Sequence, residues 1–195
     1  MWDKMILGRD MYHVILWFLT YSILGWVVES IYMSICNRKL TNRGFSRGPI
    51  CPIYGVGALT VYFVLSPYSH NRVLLFFLGA ILATAIEWFT ARVMERLFGE
   101  IWWDYTDKPF NYKGILCLES TLAWGLYTVI LFGVLHGFVE RIVNAIPFHI
   151  GRTLGSILII LYVIDFLTTI YREKKEDLPF QVSDIKERFW NLIGR

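Results

Sequence analysis

The feature that most constrains this chain is the grouping of its apolar residues into blocks of about twenty, the length that an α-helix needs to cross a bilayer. Five such segments lie at about 11–36, 49–66, 73–95, 114–137 and 152–171. Of the 195 residues, 55% are hydrophobic and 17% aromatic, which is too apolar for a soluble domain of this length. The sequence therefore predicts an all-α, polytopic membrane protein, with one transmembrane helical domain over residues 1–171.

Lysine and arginine are distributed unequally between the two sides that five spans would create. One side holds five of them, namely Lys4, Arg9, Arg72, Arg141 and Arg152. The other holds fourteen, namely Arg38, Lys39, Arg43, Arg47, Arg92, Arg96, Lys108, Lys113, Arg172, Lys174, Lys175, Lys186, Arg188 and Arg195. Because basic residues favour the cytoplasmic side, we predict N-out, C-in topology in a bacterial cytoplasmic membrane. The net charge of +3 is small, so we expect the lipid bilayer, and not nucleic acid, as the partner of these residues.

Two amphipathic segments are predicted to lie on the membrane surface. Residues 172–195 alternate apolar side chains such as Ile185 and Phe189 with basic ones at helical spacing. This pattern indicates a cytoplasmic amphipathic helix on the anionic inner leaflet, with a frayed tail as the alternative. Residues 138–146, which precede Pro147, indicate a short helix at the outer interface with Phe138, Ile142 and Ile146 on one face.

Two further patterns concern the packing of the spans. The sequences Gly133-x-x-x-Gly137 and Gly151-x-x-x-Gly155 predict close helix packing at the outer end, because small residues let backbones approach. A short internal repeat, for which chance is the alternative, pairs Gly25-x-x-x-Glu29 and Gly48-x-x-Cys51 with Ala83-x-x-x-Glu87 and Gly114-x-x-Cys117.

Four acidic residues lie inside the apolar segments. Glu29, Glu87, Glu119 and Asp165 are each placed roughly 6 to 12 Å from the cytoplasmic end of a span, at about 1.5 Å per helical residue. A charge at that depth costs several kcal/mol unless it is paired, neutralised or hydrated. We therefore predict a polar, cytoplasm-facing site built from Glu29, Asn42, Arg43, Arg47, Cys51, Tyr54, Glu87, Arg92, Glu119 and Asp165.

The site has two interpretations at this stage. The first is a water-accessible cavity lined by carboxylates. The second is a set of interhelical salt bridges that fix the packing, with Arg43, Arg47 and Arg92 as the candidate partners.

Aromatic residues are concentrated in the loop between the third and fourth spans. Trp102, Trp103, Asp104 and Tyr105 follow one another there. Such residues are usually part of an aromatic belt at the membrane interface, with a docking surface for a partner protein as the alternative.

The chain lacks the motifs of several common enzymes. It contains no GxxxxGK[ST] loop, HExxH or GxSxG sequence, and its three cysteines have no zinc-ligand spacing. The sequence therefore predicts no cofactor, no metal and no catalytic residues, and any ATP hydrolysis would come from another chain.

Five stretches carry a family resemblance: YSILGWVVESIY, NRGFSRGPICPIYG, WWDY, FNYKGILCLES and WGLY. Together they resemble the small bacterial membrane proteins called putative ABC-transporter type IV, or CmpB-like permeases. The resemblance runs from about Tyr21 to Tyr127. It implies an integral-membrane permease subunit that works with a separate nucleotide-binding ATPase.

Three functions remain open on the sequence alone. The first is a transport component that also self-associates, because five helices make a thin wall around any pathway. The second is a membrane enzyme acting on lipid headgroups, with Glu29 and Glu87 as acid and base. The third is a non-transporting scaffold or sensor, in which the acidic residues pair with arginine.

Overall fold

A computed structural model describes residues 2, 4–42, 48–101 and 103–193, with the backbone alone described for 172–193. The described chain is mostly helical. Its helices are α1 (Met11–Asn37), α2 (Pro52–Leu65), α3 (Arg72–Phe98), α4 (Leu118–Ile130), α5 (His136–Ala145) and α6 (Phe148–Ile193). A π-helical turn, Leu131–Leu135, joins α4 to α5, and a 3-10 turn, Ser66–Tyr68, follows α2. The short strands β1 (Met5–Ile6) and β2 (Arg9–Asp10) form an antiparallel hairpin before α1.

Four helical segments are long and apolar enough to cross a membrane. They are Met11–Asn37, Arg72–Phe98, Leu118–Ala145 and Phe148–Tyr171, which coincide with four of the five predicted spans. The remaining predicted span, 49–66, corresponds to α2, whose 14 residues measure about 21 Å against a hydrocarbon core of about 30 Å. The prediction of an all-helical, polytopic protein is confirmed, and the fifth span and the orientation stay predictions.

The starts of α1, α3 and α4 are fixed by capping side chains. Asp10 accepts a hydrogen bond from the His13 backbone N–H at 3.0 Å, and Asn71 caps α3 in the same way. Cys51 precedes Pro52 at the start of α2, and Cys117 forms a capping box with Ser120 at the start of α4. Both cysteines of the predicted repeat therefore stand at helix N-termini.

Helices pack in two antiparallel pairs, α1 with α2 and α3 with α4. A Cβ added at Gly55 of α2 would clash with Ser22 of α1, and one added at Gly79 of α3 would clash with Thr128 of α4. Each pair consists of a 27-residue helix, a loop and a helix that begins after a cysteine. This arrangement follows the two copies of the predicted repeat.

The two ends of the bundle differ in character. At the hairpin end, where β1, β2 and the start of α1 lie, the apolar core includes Trp17, Leu75, Val139 and Val143. We call the opposite end, where α1 and α3 end and α2 and α4 begin, the carboxylate end, because it holds the acidic residues of the predicted site.

The two GxxxG motifs at the hairpin end differ in how closely neighbouring residues pack on them. Gly151 packs against Tyr12, and Gly155 against Trp2, as the packing prediction requires. Gly133 and Gly137 are exposed and meet nothing within 4 Å of an added Cβ. The prediction for that motif is wrong within this chain, because the helix turns these glycines away from its neighbours.

The predicted outer interfacial helix corresponds to α5, and its place at the membrane interface stays a prediction. Residues 138–146 fall almost wholly in α5, which continues α4 through the π-helical turn as one segment, Leu118–Ala145. Val139 and Val143 pack into the core while Phe138 is exposed. Similarly, α6 runs without a break past residue 171, so the predicted boundary of the C-terminal tail does not coincide with a helix end.

Candidate functional site

Glu87 is the buried carboxylate at the centre of the carboxylate end. It lies on α3 with a side chain of which only 5% is exposed. Ala80 and Ala91 on the same face are also buried, and Thr84 hydrogen-bonds Thr121 of α4 at 3.2 Å. The face predicted from helical spacing thus points into the bundle and packs on α4.

Three donors bind the Glu87 carboxylate. The Tyr105 hydroxyl donates to Oε1 at 3.1 Å, and the Trp124 indole donates to Oε2 at 3.0 Å. The Ser120 hydroxyl lies 3.4 Å from Oε2. Ser120 and Trp124 come from one face of α4, and Tyr105 comes from the loop that precedes it. None of these three donors carries a charge.

The loop between α3 and α4 is folded so that Tyr105 reaches Glu87. Its backbone N–H donates to Gly114 O at 2.8 Å, and the Trp103 indole donates to Ile115 O at 2.9 Å. Gly114 has φ +68°, a conformation that glycine adopts without strain. Burial raises the pKa of the Tyr105 phenol, and the charge of Glu87 raises it further, so this hydroxyl stays a donor at physiological pH.

Glu29 on α1 has an analogous partner. The Tyr54 hydroxyl of α2 hydrogen-bonds its carboxylate. The Tyr54 ring stands directly over Gly25, one turn earlier on α1, where an added Cβ would clash with it. Glu29 also interacts electrostatically with Tyr105, so this tyrosine lies near both carboxylates.

The two glutamates are bound in a repeated way. Tyr54 and Ser120 each lie three residues after the cysteine that starts their helix. Each contacts the glutamate of the preceding helix, Glu29 and Glu87 respectively. The predicted repeat is therefore accompanied by the same side-chain contact in both halves.

The other two acidic residues have separate partners. Glu119 lies in the first turn of α4, is 65% exposed, and pairs with Lys108 Nζ at 2.8 Å. The hydrogen bond that Lys108 donates to Glu119 raises the pKa of Lys108. Asp165 of α6 accepts a hydrogen bond from the Gly48 backbone N–H at 2.8 Å, which joins α6 to the first loop.

The remaining residues of the predicted site are placed as follows. Asn42 accepts a hydrogen bond from the Trp26 indole at 2.6 Å, and the Cys51 backbone N–H donates to Ser22 O at 3.0 Å. Arg92 pairs with Glu95 on its own helix and stacks on Trp88, so these contacts do not join it to Glu87. Arg43 and Arg47 lie outside the described residues.

The predicted docking segment is turned largely inward. Trp103 and Tyr105 make the internal hydrogen bonds given above, and Trp102 lies outside the described residues. Asp104 is exposed, and hydrogen bonds from Thr106 lower the pKa of its carboxyl. The exposed part of the loop is its tip, 106–113, where the Phe110 side chain is 83% exposed.

Two shallow pockets lie away from Glu87. One, of about 410 Å³, is at the hairpin end beside Asp10, His13 and Asn144. The other, of about 290 Å³, lies along the loop beside Glu95, Trp103 and Lys113. Within the described part of the chain, no group of three or more His, Cys, Asp or Glu side chains is arranged to hold a metal ion.

Sequence reasoning missed Ser120 and Trp124 as partners of Glu87. Ser120, Trp124 and Thr128 are spaced four residues apart and therefore lie on one polar face of α4. This spacing in the sequence is a signal from which the face can be predicted. The inward direction of the Tyr105 side chain depends on how the loop folds. The sequence alone does not show that fold, and it therefore indicates a docking surface for this residue.

The comparisons bear on this site through the family. A sequence model of the family described as putative ABC-transporter type IV matches residues 16–170. The chain belongs to this family. Comparisons with curated proteins and with solved structures gave no match. As a family member, the chain is a membrane component of ABC-transporter type, and the matched region contains all four acidic residues, including Asp165, which lay outside the stretches that first carried the resemblance.

Proposed function

We propose that this chain is the membrane-spanning component of a transport system, with a polar site formed by Glu87, Glu29 and the residues that bind them. A separate ATPase supplies the energy, because this chain has no P-loop sequence. Family membership and the four candidate membrane helices support this proposal.

The observation that carries the proposal is the environment of Glu87. A buried carboxylate on an apolar helix is costly, and proteins retain one where it serves a function or completes an ion pair. The scaffold hypothesis calls for pairing with arginine. Among the described residues, Arg92 pairs with Glu95 and the donors to Glu87 are uncharged, while Arg43 and Arg47 lie outside the described residues. A carboxylate whose donors among the described residues are all uncharged is suited to binding a transported cation or proton.

The polar site and the loop before α4 are connected through Tyr105. Its hydroxyl binds Glu87, while the same loop presents Phe110 at the surface. We propose that the loop tip, 106–113, is where the ATPase docks, in place of the Trp102–Tyr105 segment that the sequence suggested. If the loop moves when the ATPase docks, the Tyr105 hydroxyl is displaced from Glu87.

Two further parts of the proposal concern assembly and orientation. We propose that the carboxylate end faces the cytoplasm, as the distribution of basic residues predicts. We also propose self-association through α6, whose exposed apolar residues include Ile157, Ile160 and Ile164. A single monomeric band on a native gel in mild detergent would contradict the self-association.

The test is capture of the tagged protein from its native membrane in mild detergent, followed by mass spectrometry of the co-purifying chains. We expect a P-loop ATPase in stoichiometric amount, and a Phe110→Asp variant that no longer retains it. Tyr68→Asp, at an exposed residue of the opposite end, is the control. Recovery of the chain without any ATPase would contradict the proposal and return the lipid-headgroup enzyme to consideration.

A further inference from the structure

A buried cluster of polar aromatic rings lies in the half of the bundle opposite the carboxylates. His136, at the start of α5, stacks on Tyr62 of α2 with ring centroids 3.9 Å apart. It also contacts Trp17 of α1 at 4.8 Å, edge to face. The Tyr21 hydroxyl lies 2.7 Å from His136 Nδ1. Rings from two helices, α1 and α2, therefore surround this histidine.

Two nitrogen atoms of the cluster are buried without a hydrogen-bond partner among the described residues. They are Trp17 Nε1 and His136 Nε2. Trp17 is 0% exposed and His136 is 9% exposed. Buried polar atoms of native proteins are nearly always hydrogen-bonded, to protein or to ordered water, so two such atoms in touching rings call for a common explanation.

The backbone around His136 is unusual in a way that positions its ring. The π-helical turn, Leu131–Leu135, ends with the His136 N–H bonded to Leu131 O. Such a turn holds one more residue than an α-helical turn, and without it the following residues would be rotated by about 100°. The π-helical turn therefore places His136, Val139 and Val143 against α1, and π turns are frequent at functional sites.

A pocket at the hairpin end lies next to the cluster. His13, Trp17 and Tyr21 are spaced four residues apart and lie on one stripe of α1. The His13 ring bonds Asp10 and Asn144 and lines the pocket of about 410 Å³ at this end. The centroids of the His13 and Trp17 rings are 5.8 Å apart. The Trp17 indole therefore lies next to a residue that lines this pocket.

We propose that Trp17 Nε1 and His136 Nε2 form an internal binding site for one water molecule. The indole N–H donates to the water oxygen, and the water completes the second hydrogen bond of the His136 ring. The surrounding core is tightly packed, with Trp17 and Val139 at 0% exposure, so the packing excludes any solute larger than water.

The experiment is NMR of the protein in nanodiscs with ¹⁵N-labelled indole nitrogens. The chain has eight tryptophans, and Trp17→Phe, or Trp17→Tyr if the first variant does not accumulate, assigns the Trp17 signal. We expect a cross-peak between the Trp17 indole proton and water. Trp103 is the internal control, because its indole already donates to Ile115 O at 2.9 Å and needs no water.

A histidine variant then tests the second partner. In His136→Gln the side chain can still bond the water, so the cross-peak persists, whereas in His136→Phe it weakens or disappears. The proposal would be overturned if the Trp17 indole proton of the wild type shows no cross-peak to water and has the chemical shift of an indole N–H that faces an aromatic ring. That wild-type result decides the matter even if neither histidine variant folds.

Discussion

Three hydrogen-bond donors converge on Glu87, and they come from two different parts of the chain. Tyr105 belongs to the loop after α3, while Ser120 and Trp124 belong to α4. Without the carboxylate the half-buried Tyr105 and Trp124 would each lose this hydrogen bond, at a cost of about 1–3 kcal/mol, whereas Ser120 would keep its bond to Cys117 O. At the scale of the residue, Glu87 therefore links α3, α4 and their loop.

We predict that Glu87→Ala and Glu87→Gln differ sharply in stability. The glutamine can accept from Trp124 through its carbonyl and donate to the Tyr105 oxygen, so its free energy of unfolding should fall by less than about 1 kcal/mol. The alanine variant leaves the donors unpaired and should lose about 2 kcal/mol or more. Thermal unfolding in detergent measures both, with Glu100→Ala, at an exposed position, as the control. Equal losses in the two Glu87 variants would contradict this account.

Elements in this bundle are held in register by glycines at helix crossings. Gly25 of α1 supports the Tyr54 ring of α2, which is what lets the Tyr54 hydroxyl reach Glu29. Gly57, three residues after Tyr54 on α2, has open space around it. The pair offers a matched comparison between a glycine required by packing and one that is not.

We predict opposite effects of alanine at these two glycines. Gly57→Ala should leave the free energy of unfolding unchanged or raise it by up to about 1 kcal/mol, because alanine has the higher helix propensity. Gly25→Ala forces the Tyr54 ring away from α1 and should cost about 1–3 kcal/mol, as overpacking does. Chemical denaturation in mixed micelles measures both changes. If Gly25→Ala leaves the free energy of unfolding unchanged, the position of the Tyr54 ring does not depend on this contact.

The loop before α4 owes its shape to hydrogen bonds that start from Tyr105. We predict that Tyr105→Phe, which deletes only the hydroxyl, increases amide hydrogen exchange over residues 103–116. The phenol pKa is raised by burial and by Glu87, so in the wild type the bond persists up to alkaline pH. Tyr112→Phe, at an exposed residue of the same loop, should leave exchange unchanged. If amide exchange is similar in both variants, the structure of the loop does not depend on the hydrogen bond from Tyr105 to Glu87.

Some of these elements could be predicted from the sequence and others could not. The long helices follow from apolar block length, and the starts of α2 and α4 from Pro52 and the repeated cysteine pattern. The pairing of Arg92 with Glu95 is a local contact at i, i+3 and was available from the sequence.

Two features of the structure depend on contacts between distant residues. Tyr105 points inward because the loop closes through Trp103 and Ile115. The π-helical turn, Leu131–Leu135, brings Val139 and Val143 against α1, and no local composition marks it. At these two places the sequence alone does not show the direction of the side chains, and the docking segment and the interfacial helix stay predictions.

At the scale of the whole molecule, the two ends of the bundle are chemically distinct. The hairpin end holds the apolar core and the His136 cluster, and the carboxylate end holds Glu29, Glu87 and the two longer loops. The fourteen-to-five distribution of basic residues predicts that the carboxylate end is cytoplasmic.

We predict that cysteines at positions 69 and 183 label from opposite sides. In a background with the three native cysteines changed to serine, Ser69→Cys should react with an impermeant reagent on intact cells. Ser183→Cys should react only after permeabilisation. Serine is a good helix cap, so Cys51→Ser and Cys117→Ser should not disturb α2 or α4. The reverse labelling pattern would place the carboxylate end outside the cell.

The central claim is that the Glu87 site serves transport driven by a separate ATPase. Its most direct test is the rate of ATP hydrolysis by the captured complex in nanodiscs, compared between wild type, Glu87→Gln and the control Glu100→Gln. We predict an intact complex in all three, with hydrolysis lowered about tenfold or more in Glu87→Gln alone, which corresponds to about 1.4 kcal/mol. An unchanged rate in Glu87→Gln would contradict the account and leave Glu87 with a structural role.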